Sequence, residues 1–263
     1  MRRLLQNDIL RGSICLLNFG AFLIYMNTEN AKTEGTTSLI ERLFSVGAHF
    51  GFSRSRRHPT TTPYIFANKQ GTDIIDLEKT SELLETAKHF LAEAGKAGKT
   101  ILFVSTKEEI AGTVKQQAEA AGMPFVTNRW VGGMLTNFTE IRKRITRLNE
   151  LVAHGESGEL ERKYTKKERV IIGRELDKLH FNFGGIQKME RLPHALVIAD
   201  TRHDSIAVLE ARTLGIPVIG IMSSDSNLSQ ITYPIVANDS LQASVALVLR
   251  ELVSAYQSGS RTA

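Results

Sequence analysis

From residue 101 onward, short runs of apolar residues alternate with amphipathic segments, and this rhythm constrains the fold more than any other feature. Ile101-Leu102-Phe103-Val104, Phe125-Val126, Ala195-Leu196-Val197-Ile198-Ala199, Val218-Ile219-Gly220-Ile221 and Ile235-Val236 are apolar at every position. A strand that is apolar on both faces is covered on both faces, as in a parallel sheet lying between helices. The covering helices follow a 3.6-residue period. Glu108 to Ala121 aligns Ile110, Val114, Ala118 and Ala121; two more run from about Asp204 to Leu214 and from Leu241 to Tyr256. The expected class is α/β, a doubly wound parallel sheet.

Upstream, Leu39, Ile40, Leu43 and Phe44 predict a short helix over Ser38 to Gly47 with Ser38 as its N-cap. Gly51 to Pro63 has no period and reads as a loop. Tyr64-Ile65-Phe66 and Ile74-Ile75 read as strands around a turn at Asn68 to Gly71. Leu83, Leu84, Ala87, Phe90, Leu91 and Ala94 predict a helix over Ser81 to Ala94, ended by Gly95 and Gly98.

Between Phe125 and Ala195 the pattern changes. Met134, Phe138, Ile141, Ile145, Leu148 and Val152 are spaced by fours and threes, the seam of a coiled coil. His154 to Glu159 is polar with glycines and reads as a turn. Ile172, Leu176, Leu179, Phe183 and Ile186 then repeat the spacing. Two such helices in succession predict an antiparallel helical hairpin over 134–184, inserted in an α/β domain spanning 38–263. Its outer faces carry Arg142, Lys143, Arg144 and Arg147, then Arg162, Lys163, Lys166, Lys167 and Arg169.

Residues 1–37 read as an extension. The apolar run Ile14 to Tyr25 is short of the ~20 residues a membrane span needs, and Asn18 interrupts it. No small-residue cleavage site follows. A weak anchor, a targeting segment and upstream sequence before a true start at Met26 compete, and the polar stretch after Met26 favours the last. The lone Cys15 excludes an internal disulfide framework. Thirty-three Lys and Arg against 28 Asp and Glu permit a polyanionic partner without requiring one.

Doubly wound sheets often bind nucleotides, so that chemistry comes first. Gly95-Lys96-Ala97-Gly98-Lys99-Thr100 resembles a P-loop only superficially: Glu93 stands where the first glycine belongs, and a helix precedes where a strand should. No G-x-G-x-x-G follows a strand. The strand ends offer Ser105, Thr106 and Lys107, then Asp200, Thr201 and Arg202, then Ser223, Ser224 and Asp225, with Asp204 reading as an N-cap. The seven histidines are scattered with no metal-ligand spacing, and no nucleophile elbow exists. No catalytic residue, metal site or cofactor is expected.

Two segments read differently. Gly51 to Pro59 gathers Arg54, Arg56, Arg57 and His58, and clustered arginines suit phosphates; a solvated loop is the alternative. Asn128 to Asn137 sets Arg129 beside Trp130, the only tryptophan, before Gly132-Gly133 and a helix start. An aromatic surface beside an arginine suits a nucleobase, and helix-start N–H groups suit phosphate. For Trp130 itself, a core position in a tight turn is the favoured reading.

Leu43-Phe44-Ser45-Val46-Gly47-Ala48-His49-Phe50-Gly51, Pro63 to Phe66, Ile74 to Thr80, Asn128 to Phe138, Gly184-Gly185-Ile186, Pro193 to Asp200, Glu210-Ala211 and Gly215 to Val218 together, in this order, resemble the small-subunit ribosomal protein S2 family, in its bacterial form, over about Ser38 to Ser254. The resemblance implies a flavodoxin-like sheet with an inserted coiled coil, no catalysis, and a structural role in the small subunit in the cytoplasm. It implies contact with small-subunit rRNA, neighbouring ribosomal proteins and the mRNA-binding ribosomal protein S1, and no membrane. Met1 to Tyr25 has no counterpart in it. Two departures stand out: Arg57-His58 replaces an aromatic and an Asn before Pro59, and Ser223 to Ser229 lacks the family's acids, Cys and Pro. The expected rRNA contacts are Arg54, Arg56, Arg57, His58, Arg129, Trp130, Asn137, Lys143 and Arg144. A nucleotide-binding enzyme with its site near Thr106, Asp200 and Asp225, and a protein-docking scaffold built on the hairpin, are the alternatives.

Overall fold

The computed structural model describes residues 34–157 and 162–261. The reading of Met1 to Tyr25, with Cys15, and the last part of the turn expected at His154 to Glu159 lie outside them. The chain divides into two compact units, Met1–Glu41 and Arg42–Ala263, and the second carries the sheets. Helix α1 (Glu34–Ser45) begins more than a turn earlier than the Ser38 cap suggested.

Residues Gly51 to Pro63, expected to be loop, contain more structure than that. Strand β1 (Phe50–Ser53) joins β2 (Ile65–Lys69) and β3 (Thr72–Ile75) in an antiparallel sheet of order β1-β3-β2. Gln70 and Gly71 turn β2 into β3 with φ of 52° and 82°, the positive pair that matches strand twist in a tight hairpin. Two 3-10 turns, Arg54–Arg56 and Pro59–Tyr64, carry the chain from β1 to β2. β1 escaped sequence reading because its four residues show no alternation of burial.

The second sheet fits the class expected from the sequence. Helix α2 (Leu77–Lys96), β4 (Ile101–Val104), α3 (Glu108–Ala121) and β5 (Phe125–Val126) lead to α4 (Phe138–Glu156) and α5 (Lys166–Phe183). Then come β6 (Ala195–Ala199), α6 (Ser205–Thr213), β7 (Val218–Met222), β8 (Tyr233–Val236) and α7 (Gln242–Arg261). All pairings of this sheet are parallel and the order is β5-β4-β6-β7-β8, the flavodoxin-like order. Every residue of β4, β6 and β7 is buried. Alternate residues (Leu102, Val104, Leu196, Ile198, Val218, Met222) share one core with α4, α5 and α6, while α2 and α3 pack against α7, as two-residue alternation requires of a sheet covered twice.

Helix α2 starts at Leu77, where Asp76 accepts from the Glu78 N–H. It does not stop at Gly95. Gly98, with φ of 59°, makes the left-handed stop alone, and Lys99 N–H returns to the Ala94 carbonyl. Gly95 is glycine because α7 crosses there: a Cβ would lie 2.2 Å from the Tyr256 carbonyl oxygen, and one on Gly259 would lie 2.1 Å from that of Ala92. Gly95→Ala therefore must push the helices apart, at a cost of about 1–3 kcal/mol. Chemical denaturation should show that loss in the midpoint, whereas Gly98→Asn, at a position an Asn tolerates, should cost less.

Candidate nucleic-acid interface

The Asn128 to Asn137 segment links β5 to α4, and Glu210 on α6 organises it. The Glu210 carboxylate accepts from Trp130 Nε1 at 3.1 Å, Gly133 N at 2.8 Å, Leu135 N at 3.0 Å and Thr136 N at 3.2 Å, and from Thr136 Oγ1 at 3.2 Å. The residue is buried. Burial alone would raise its pKa, but the donors from Trp130, Gly133, Leu135 and Thr136 hold it below the usual carboxylate value. Trp130 is 8% exposed and belongs to the core, as favoured for it, so its ring offers no surface for a base to stack on. Its place among the expected rRNA contacts is corrected to a support. Arg129 and Asn137 are exposed on the same segment, and Asn137 caps α4 without a side-chain bond. Lys143 and Arg144 are exposed one to two turns into α4, with Lys143 Nζ 2.6 Å from Glu140.

The basic segment Arg54 to His58 is held from two sides. The Arg57 guanidinium makes a bidentate pair with Asp73, whose side chain is fully buried, and Asn68 Nδ2 adds a bond at 2.8 Å. The Arg57 bonds, then Asn68, hold the Asp73 carboxyl below its ordinary pKa against the effect of burial. Arg57 is thus committed to the fold through Asp73, with a fifth of its side chain left exposed. On the other side stands buried Ser224: its Oγ accepts from Phe52 N at 2.9 Å, and its carbonyl accepts from His58 N at 2.9 Å and Thr61 Oγ1 at 2.8 Å. His58 is half-buried, with Nδ1 2.7 Å from Thr60 Oγ1. Arg54 and Arg56 are exposed, and Arg56 lies over the Phe52 ring at 6.0 Å. Ser224, named from the sequence only as a strand-end residue, has a role in holding the basic segment that sequence reasoning missed. A serine on a strand end gave no sign of its partner 172 positions away.

The carboxyl ends of β4 and β6, where such sheets bind ligands, are filled by side chains. Lys107 Nζ lies 2.9 Å from Asp200 and 3.1 Å from Ser240 Oγ. Thr106 gives its N–H and hydroxyl to Asp204, at 3.0 and 2.6 Å. Asp204 therefore sits at the N-cap position of α6 without capping it, a correction to its expected role. Asp239 accepts from Ser223 N at 3.1 Å and Ser240 Oγ at 3.2 Å. Burial first, then the Asp200 charge, push its carboxyl up to about 7. Among the described residues no cluster of His, Cys, Asp or Glu could hold a metal ion, and no helix is long and apolar enough to cross a membrane.

Several known proteins are similar to this chain in sequence. The family model described as ribosomal protein S2 matches residues 43–259. Small ribosomal subunit protein uS2 of Coprothermobacter proteolyticus is 40% identical over 220 residues, 84% of this chain and 82% of that one. The uS2c protein of Rhodomonas salina is 41% identical over 84% of this chain and 90% of its own. The uS2 protein of Picosynechococcus is 41% identical over 84% and 86% respectively.

Two outcomes follow from the buried charges. Glu210→Ala strands the indole and three backbone N–H groups, and should cost about 3 kcal/mol or more. As Trp130 is the only tryptophan, a red shift of native fluorescence reports the loosened segment, and an unmoved emission maximum would refute the anchoring role. Asp239 has its folded pKa above the unfolded value near 3.9, so the folded state binds the extra proton and stability falls as pH rises from about 4 to about 7. Asp239→Asn should match the parent melting temperature near pH 4 and exceed it at pH 8; a gap independent of pH would contradict this.

Proposed function

This chain belongs to the ribosomal protein S2 family, and from that premise we propose how it holds small-subunit rRNA. It is a structural constituent of the small ribosomal subunit and not an enzyme. Its partners are the rRNA and other ribosomal proteins of that particle. The contact surface of the proposal is built from Arg54, Arg56 and His58 on one segment and from Arg129, Asn137, Lys143 and Arg144 on the other. Arg57 and Trp130 act behind them as supports. The observation that carries the reading is the exposure of Arg54 and Arg56 on a segment pinned by the Arg57–Asp73 pair and by Ser224. A loop fixed from behind presents its charges without the entropy cost of ordering them on binding.

The proposal extends to the domain plan, 38–263 as one rRNA-binding domain with 134–184 as an antiparallel hairpin of coiled-coil type. Supporting it, α4 and α5 touch, Arg147 Nε lies 3.4 Å from Glu175, and Gln187 Nε2 donates to Asn149 at 2.6 Å. Ile141, Ile145, Leu148, Leu179 and Phe183 are buried. Exposed Val170, Ile171 and Phe181 on α5 suit a protein neighbour. Ribosomal protein S1 as a partner and a cytoplasmic ribosome complete the proposal, on the strength of the family resemblance.

Each phosphate contact contributes about 0.7–0.9 to the salt slope of binding. Arg54→Glu with Arg56→Glu should therefore lower incorporation into reconstituted small subunits and flatten the slope by about 1.5. Arg57→Ala should act through stability instead, losing about 3 kcal/mol because Asp73 is left buried and unpaired. Unchanged incorporation of the double reversal would defeat the reading.

A further inference from the structure

Helix α6 breaks the usual rule for a helix that covers a sheet, which turns its large apolar residues inward. Its inward side carries Ala207, Val208 and Ala211 with the Glu210 carboxylate, all buried. Its outward side carries Ile206 and Leu209, 57% and 64% exposed. Leu209 is the most exposed large apolar residue among those described. The two stand one turn apart and form a single ridge, continued by exposed Thr213. Small inward residues let the helix lie close on the sheet, but that packing does not call for an isoleucine and a leucine in solvent.

The charges around the ridge have one sign. From Asp200 to Ser224 all three acids are buried. Asp200 holds Lys107, Asp204 holds Thr106, and Glu210 holds the Trp130 segment. Arg202, His203 and Arg212 are exposed in the same stretch. Arg202 reaches Asp225 with one nitrogen, yet its side chain stays 60% exposed. The segment held against α6 through Glu210, Asn128 to Asn137, contributes exposed Arg129 and no acid.

These features select among occupants. RNA would find cations here but no aromatic ring on the ridge to stack on, and its phosphates would cover aliphatic side chains without gain. A second copy docked by a two-fold on this ridge would set a surface without an exposed acid against itself. A helix with an apolar stripe and acidic flanks meets both features, since its groove accepts the Ile206–Leu209 ridge and its carboxylates meet the arginines. The five bonds to Glu210 fix α6 from behind, so the ridge is presented without an ordering cost.

We propose that the outward face of α6 docks an acidic amphipathic helix of a neighbouring protein of the small subunit, its apolar stripe on Ile206 and Leu209 and its carboxylates toward Arg202 and Arg212. The proposal rests on the chain's place in that particle and uses none of the residues assigned above to rRNA.

The first test measures binding of the full chain to a short helical peptide with leucines three and four apart along one face and glutamates elsewhere. Ile206→Ser with Leu209→Ser should weaken it roughly tenfold, and Arg212→Glu should weaken it as well. Ile171→Ser, on the exposed face of α5, should leave binding unchanged, and a peptide with lysines for the glutamates should not bind. The second test places a photo-crosslinking amino acid at Leu209 in reconstituted small subunits. The expected product joins this chain to an acid-flanked apolar segment of another ribosomal protein. A crosslink to rRNA, to a second copy or to a protein segment without acids overturns the proposal, as does no crosslink at all. Peptide binding that survives the α6 changes, or falls equally with Ile171→Ser, overturns it too. Should the paired serine variant unfold, Arg212→Glu and the crosslink decide. The rRNA reading is judged separately, by incorporation of the Arg54→Glu with Arg56→Glu variant. If that incorporation falls while Leu209 crosslinks to no protein, the α6 proposal fails and the rRNA reading stands.

Discussion

The carboxylate of Glu210 is the interaction on which the candidate interface depends. A glutamate buried without a cation partner is expensive unless hydrogen bonds replace its water. Here five donors do so, and all five come from a seven-residue stretch of loop, Trp130 to Thr136, the last being the Thr136 hydroxyl. Satisfying the charge therefore fixes the loop's path. That path buries Trp130, opens α4 where Asn137 caps it, and brings Arg129 and the first basic turns of α4 to the surface.

The positive residues divide into two kinds with different physical work. Arg57 is committed to a carboxylate that has no exposure, an arrangement in which loss of either partner leaves a buried charge. Arg54 and Arg56 stand in solvent on the same segment, where charges contribute little to stability and remain available to a polyanion. A bare count of arginines in Gly51 to Pro59 hides this division. The pair stiffens the segment, Ser224 fastens its other side, and the exposed charges inherit a fixed geometry.

The sheet has the strand order that in other proteins makes a ligand crevice where β4 and β6 diverge. In this chain the crevice is occupied by its own side chains: Lys107 with Asp200, Thr106 with Asp204, and Asp239 against the ends of both. Asp200 takes a φ of 68° to place its carboxylate there. The acids that suggested an enzyme are thereby spent on each other's surroundings, in keeping with a family of structural proteins. The chemistry has moved outward, to the loops beyond the strand ends.

The sequence by itself determined the layered class, because burial on both faces forces continuous apolar strands: Ile101–Val104 and Ala195–Ala199 were legible to the residue. It determined the segments of the candidate interface, since Arg54 to His58 and Asn128 to Asn137 announce themselves by composition and spacing. Its limits are equally physical. β1 is too short to show a period, and Gly95 reads as a helix stop until α7 is seen to cross it at van der Waals limits. Which arginine is surface and which is ballast, and that Trp130 points inward, only the tertiary structure decided. Those answers rest on partners far along the chain: Asp73 for Arg57, Ser224 for the loop, Glu210 for the indole. Periodicity records what a residue's neighbours in sequence require, whereas the fate of a charge is set by whichever group the fold brings within 3 Å of it.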